Sequence, residues 1–258
     1  MEVIIRSDAA AASDLVARIV AAEIRANPSI VLGLATGRTM DMVYERLRQM
    51  RLDFSRCRTF NLDEYVGLPA SDPRSYRAYM NKALFDHVNI DPKNTHVPNG
   101  MASDLEAECR SYEEKIAQAG GIDLQLLGVG RTGHIGFNEP LSALLSRTRV
   151  KALSPTTSAQ NAEFFGGPGN VPKRAITMGV GTIADSRRCV LLATGESKAE
   201  IVAKAVEGPI TSMISATALQ LHRRCVVVVD EAAAARLTEK DYYRWIFDNE
   251  PEWEPFRK

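Results

Sequence analysis

The chain has 258 residues, 45% apolar and 25% charged, with 32 basic against 32 acidic side chains. These fractions exclude a disordered or fibrous chain, and the zero formal charge excludes a long-range pull on nucleic acid or an anionic membrane, so an anionic ligand must be held by a few placed groups. Cys57, Cys109, Cys189 and Cys225 lie far apart with no CxxC, which indicates neither a zinc site nor a disulfide framework.

In chain order, the opening MEVIIRSDAA turns polar too soon for a signal peptide, and no apolar run approaches the ~20 residues of a membrane span. The expectation is a reduced, cytoplasmic protein. Strands are predicted at 3–6, 30–35, 58–62, 124–129, 175–179, 190–193 and 226–230. Runs such as VLLA and VVVV are continuously apolar, which suits strands covered on both faces. Helices are predicted between them at 10–26, 41–50, 75–85, 104–118, 198–206 and 217–221, with Ser103 and Glu106 read as a capping box. This alternation predicts an α/β fold, a doubly wound, mostly parallel sheet with helices on both faces. Residues 142–173, with FFGGPGNVP, are the least regular and read as a lid-like excursion from one domain spanning 1–258.

Ligands in such sheets sit at the carboxyl ends of the strands, so the strand-to-helix loops are the candidate sites. The first is Thr36-Gly37-Arg38-Thr39, where glycine, hydroxyls, an arginine and a helix N-terminus form either an anion cradle or an ordinary capped turn. The segment 128–133 matches GxGxxG, but Gly136 and Pro140 oppose the helix a dinucleotide fingerprint must open. No acidic residue follows at the expected distance, so a nicotinamide cofactor is not indicated. Beyond it lie His134, which can exchange protons near neutral pH, and Glu139, able to fix its tautomer. Their spacing is not that of a zinc protease, and no metal site is expected. Asp63 and Glu64 end a strand, where at most one faces the crevice and Glu64 alone reads as solvated. Lys198 offers a second cation at the same sheet edge; His87, His96 and His222 read as structural.

Together these loops resemble the glucosamine-6-phosphate deaminase/isomerase family along nearly the whole chain. The motifs that carry the likeness include LGLATGRT at 32–39, FNLDEYVGLP at 60–69, SYRAYM at 75–80, GHIGFNEP at 133–140, SRTRVKAL at 146–153 and AITMGVGTI at 175–183. The resemblance implies a cofactor-free aldose–ketose isomerisation with loss of ammonia, from glucosamine 6-phosphate to fructose 6-phosphate. By motif, Asp63 would move a proton between C2 and C1, His134 would assist ring opening, and Glu139 would support His134. Thr36, Gly37, Arg38, Thr39 and Lys198 would hold the phosphate. The resemblance further implies a homo-oligomer, hexameric in regulated members, with Ser142, Arg149 and Lys151 at positions associated with an effector site.

Three positions depart from the family pattern. Thr132 replaces an aspartate before the histidine, Glu163 stands in place of a phosphate-binding arginine, and Arg38 replaces a small residue. Arg38 is suggested to supply the missing cation from the opposite side, pairing with Glu163 in the empty site. The remaining readings are a galactosamine-6-phosphate isomerase, a phosphogluconolactonase, which retention of Asp63 disfavours, and a catalytically weakened sugar-phosphate sensor.

Overall fold

A cap and an apolar stripe define the first helix. In the computed structural model, which describes residues 1–257, the Asp8 carboxylate accepts from the Ala11 N–H at 2.8 Å and starts α1 (Ala9–Ala26). Leu15, Val16, Ile19, Val20 and Ile24 turn one face of α1 into the core, each such burial stabilising by roughly 1.5–3 kcal/mol. Lys258, the last residue of the expected domain, lies outside the described residues.

The strands are β1 (Glu2–Arg6), β2 (Val31–Leu34), β3 (Arg58–Asn61), β4 (Asp63–Tyr65), β5 (Thr95–His96), β6 (Leu124–Leu127), β7 (Arg149–Ala152), β8 (Arg174–Thr177), β9 (Arg188–Ala193) and β10 (Cys225–Asp230). The remaining helices are α2 (Arg38–Gln49), α3 (Tyr76–Ala83), α4 (Leu105–Gln118), α5 (Pro155–Asn161), α6 (Val180–Ala184), α7 (Ala199–Val206) and α8 (Lys240–Asn249). Seven strands form a parallel sheet in the order β1-β10-β9-β6-β2-β3-β5. Every residue of β2, β6, β9 and β10 is buried, as a sheet covered on both faces requires. The four cysteines are buried and unpaired, and no helix among the described residues is long and apolar enough to cross a membrane.

Several local expectations are corrected. The strand predicted at 175–179 is β8, which pairs antiparallel with β4 and β7 in a separate three-stranded sheet. Apolar content marks a buried strand but carries no information about its partner or direction. The region 142–173 is not irregular throughout: it contains β7 and α5, followed by tight 3-10 turns at Ala162–Phe165 and Pro168–Asn170. Its Phe165 and Val171 pack with Tyr65, Phe137 and Ala175 in a second small core. Asp104, not Ser103, caps α4, accepting from the Glu106 and Ala107 N–H groups. The predicted helix 217–221 is a 3-10 turn, Ser215–Leu221.

The two sheets meet where α6 follows β8. A Cβ on Gly179 would lie 1.9 Å from the Ser146 carbonyl oxygen, a backbone atom with no side-chain freedom to yield. Gly179→Ala should therefore lower the urea midpoint of unfolding, with a loss of about 1–3 kcal/mol, measurable by circular dichroism.

Candidate active site

From β2 the chain moves outward to β3 and β5, and from β6 it moves the opposite way to β9 and β10. The loops leaving β2 and β6 diverge at this switch point and open a crevice between them. A cavity of about 230 Å³ occupies it, with Thr36, Gly37, Arg38, Thr39, Asp63, His134 and Lys198 in its wall. Four separate loops thus bring most of the anticipated residues to one place.

Asp63 begins β4 and is 6% exposed. Its Oδ2 lies 3.5 Å from where a Cβ on Gly136 would be, so the 134–139 loop passes close to the carboxylate. Among the described residues it accepts no hydrogen bond. Burial, and after it the neighbouring Glu64 charge, pushes the Asp63 carboxyl well above the usual carboxylate range. Glu64 faces away, as strand alternation requires, but it is not solvated as expected. It is 3% exposed and accepts from the Tyr65, Tyr76 and Arg77 N–H groups at 2.8, 2.9 and 2.9 Å. It therefore ties the start of α3 to β4. Burial still raises its pKa against those three bonds.

His134 sits in a loop whose backbone bonds to itself: Gly130 N–H donates to the His134 carbonyl at 2.9 Å, and Gly133, with φ of +80°, donates to the Gly130 carbonyl. No regular helix follows β6 before β7, consistent with setting the dinucleotide reading aside. A Cβ on Gly130 would fall 2.1 Å from His134 Nε2, so the imidazole occupies space that only glycine leaves open. At Nδ1 the ring meets Thr132 Oγ1 at 2.8 Å and Glu139 Oε2 at 3.4 Å. Nε2 has no hydrogen-bond partner among the described residues. Glu139 lies outside the cavity wall, behind the ring. Burial raises its pKa, but the neighbouring His134 and Thr157 side chains, together with the Ser154 N–H donating at 3.1 Å, outweigh that and hold it at about 2.

The loop after β2 enters α2 through Gly37, whose φ is +109°, and no side chain caps the helix there. The uncapped N-terminus is the positive end of the helix dipole. Lys198 reaches the cavity from the loop after β9 and donates to the Val129 carbonyl at 2.7 Å. Burial, then the Arg131 charge, lowers its pKa. Asp230 holds that loop, accepting the Gly195 N–H on both oxygens at 3.0 Å. Arg38 stands at the mouth, bonded to Glu163 and lying 5.2 Å over the Phe164 ring. Ser142, Arg149 and Lys151 do not line the cavity. Ser142 and Arg149 instead brace its loop from behind, through Ser142 N–H to the Glu139 carbonyl at 3.0 Å and Arg149 Nη1 to Asn138 Oδ1 at 2.9 Å. Among the described residues, no group of three or more His, Cys, Asp or Glu is placed to hold a metal ion.

A family model described as glucosamine-6-phosphate isomerases/6-phosphogluconolactonase matches residues 6–228. The chain belongs to that family. A glucosamine-6-phosphate deaminase of Cellvibrio japonicus is 50% identical over 250 residues, covering 95% of each chain. A solved protein described as a monomeric glucosamine-6-phosphate deaminase superposes with a TM-score of 0.90 at 45% identity, covering 92% of this chain and all of that one. A 6-phosphogluconolactonase from Trypanosoma brucei reaches a TM-score of 0.76 at 19% identity, over 92% of this chain and 98% of that one, a likeness of fold alone.

In this member of the glucosamine-6-phosphate isomerase/6-phosphogluconolactonase family, the sequence reading left Tyr76, Thr157, Gln160 and Asn161 out of the site. All four line the cavity. Tyr76 could have been found as the first helical residue after the Ser75 cap; the other three lie on α5, in a stretch without a visible period.

Two outcomes follow from the geometry. Gly130→Ala should displace the imidazole and lower kcat far more than it raises KM, with little loss of thermal stability, as steady-state kinetics beside a melting curve will show. Because Glu139 is held below its ordinary value, its contribution to stability is full above about pH 4.5 and is lost as pH falls toward about 2. Glu139→Gln should flatten that acid loss in urea titrations at stepped pH.

Proposed function

We propose that the protein is a glucosamine-6-phosphate deaminase, converting glucosamine 6-phosphate and water to fructose 6-phosphate and ammonia. The observation that carries the reading is the placement of the buried Asp63 carboxylate and His134 in one cavity with an uncapped helix start, Arg38 and Lys198. Near-50% identity to curated deaminases over 95% of the chain supports the same activity.

The chemistry follows from the two sides of the cavity. Glu139 is ionised at neutral pH and accepts, so the proton on His134 Nδ1 points toward Glu139 and Thr132, leaving Nε2 with its lone pair. Nε2 takes the proton of the sugar's anomeric hydroxyl and the ring oxygen gains one, opening the pyranose. Asp63 then removes the proton from C2 of the open-chain aldehyde, and the electron pair passes to the carbonyl oxygen, which takes a proton from water to form an enolamine. Returning the proton to C1 gives an imine at C2. Addition of water there and departure of ammonia complete the balance. A carboxylate already desolvated is a stronger base toward a carbon acid than one in water, which is what the raised pKa of Asp63 expresses.

The phosphate end would rest on the N–H groups at the start of α2, the hydroxyls of Thr36 and Thr39, Arg38 and Lys198, as in other anion sites at helix starts. Every group named belongs to one chain. Exposed Leu141, Leu145 and Met213, close to Ser142, support the self-association that the resemblance implies, with Ser142, Arg149 and Lys151 as its effector contacts. The four buried thiols fit a reducing compartment such as the cytoplasm.

Asp63→Asn should reduce ammonia release from glucosamine 6-phosphate by about 10²–10⁴-fold while substrate still binds by calorimetry. Undiminished release would overturn the mechanism, and release from the galacto epimer alone would reassign the substrate. In the unmodified enzyme, kcat/KM should fall as pH drops through a value well above the ordinary 3.8 of an aspartate, since the base acts ionised and its pKa is raised.

A further inference from the structure

We propose that Glu163 is a built-in competitor for the phosphate of the substrate: it occupies the Arg38 guanidinium in the empty site and is displaced when a phosphate dianion arrives. The inference rests on the reading of the cavity as a sugar-phosphate site and adds a determinant of affinity to it.

Arg38 and Glu163 are 125 residues apart in sequence, one at the start of α2 and the other in the 3-10 turn after α5, and their contact bridges the mouth of the cavity. Of the side chains in the cavity wall, Arg38 and Lys198 are the cations, and Lys198 already donates to the Val129 carbonyl. Arg38 therefore carries the mobile positive charge, and Glu163 holds it with one carboxylate oxygen while the Phe164 face supports the guanidinium plane. Both side chains are largely open to solvent, 67% and 76% exposed. A pair so exposed is strongly screened, so little opposes its exchange for another anion. A phosphomonoester carries about −1.5 to −2 near neutrality and offers a guanidinium two parallel hydrogen bonds, against a single negative charge on Glu163.

Displacement does not remove Glu163. Gln160 and Asn161 in the same segment line the cavity, and Phe165 is anchored in the second small core, so the segment cannot carry the carboxylate far from the mouth. The carboxylate then faces the bound dianion, which weakens binding relative to a neutral residue at that position.

The test is Glu163→Gln, a substitution at an exposed position that keeps the side-chain volume. KM for glucosamine 6-phosphate should fall about two- to fivefold with kcat within a factor of two, the range that screened surface charges produce. The dissociation constant of inorganic phosphate, by calorimetry, should fall by a similar factor, and both differences should shrink at about 1 M salt. Arg38→Ala should raise both constants and shrink the effect of the second substitution in the double variant to the part that direct repulsion between Glu163 and the phosphate supplies. Unchanged phosphate affinity in Glu163→Gln would overturn the inference, as would a full effect in the Arg38→Ala background. Because phosphate binding is measured without turnover, an enzyme that bound phosphate as described but released no ammonia would overturn the proposed activity and leave the competition standing.

Discussion

A carboxyl group held at 6% exposure, with no cation or N–H group among the described residues donating to it, is an expensive thing to keep in a folded protein. Asp63 is such a group, and the architecture around it is organised to keep it there. The strand that carries it is pinned on one side by β8 and on the other, through Glu64, by the start of α3. Adjacent carboxylates on a strand must face opposite ways; here the outward one is given three N–H groups, and the inward one is given none. That asymmetry makes one acid structural and leaves the other at the cavity for the role of base proposed for it.

The same logic separates Asp63 from Glu139. Both are buried, but Glu139 receives hydrogen bonds and lies beside an imidazole, so its pKa drops to about 2 while that of Asp63 climbs. Two carboxylates whose surroundings drive their affinities for protons apart can serve opposite tasks at one site, one in the cavity wall and the other behind it. In the proposed mechanism the ionised Glu139 orients His134, and the proton-hungry Asp63 meets the carbon acid. Thr132 shares the imidazole nitrogen with Glu139 and needs no charge of its own to do so.

Much of this was legible in the sequence. The mostly parallel α/β class and the loops worth watching came from apolar runs and their spacing, because burial on two faces writes itself into composition, whereas β5, β7, α5, α6 and α8 were not among the predicted elements. The roles proposed for Asp63 and His134 came from the resemblance. What escaped was anything set by partners remote in sequence. The run at 175–179 looked like any other buried strand, and only its pairing with Asp63–Tyr65 placed it in a second, antiparallel sheet. Glu64 read as solvated because the N–H groups that receive it lie on residues 76 and 77. Gln160 and Asn161 sit on a seven-residue helix too short to show a period.

Gly136 and Pro140 were enough for the sequence by itself to argue against a helix opening after the glycines of 128–133. It did not say what the backbone there would lie against. The folded chain supplies the answer: the imidazole of His134 over Gly130, and the carboxylate of Asp63 beside Gly136. Residue type determines which conformations and chemistries are available, since these are properties of single side chains and short spans. Which charges are desolvated, which are paired, and which face a common cavity depends on distances between segments that the linear order does not contain, and these the tertiary structure alone decided.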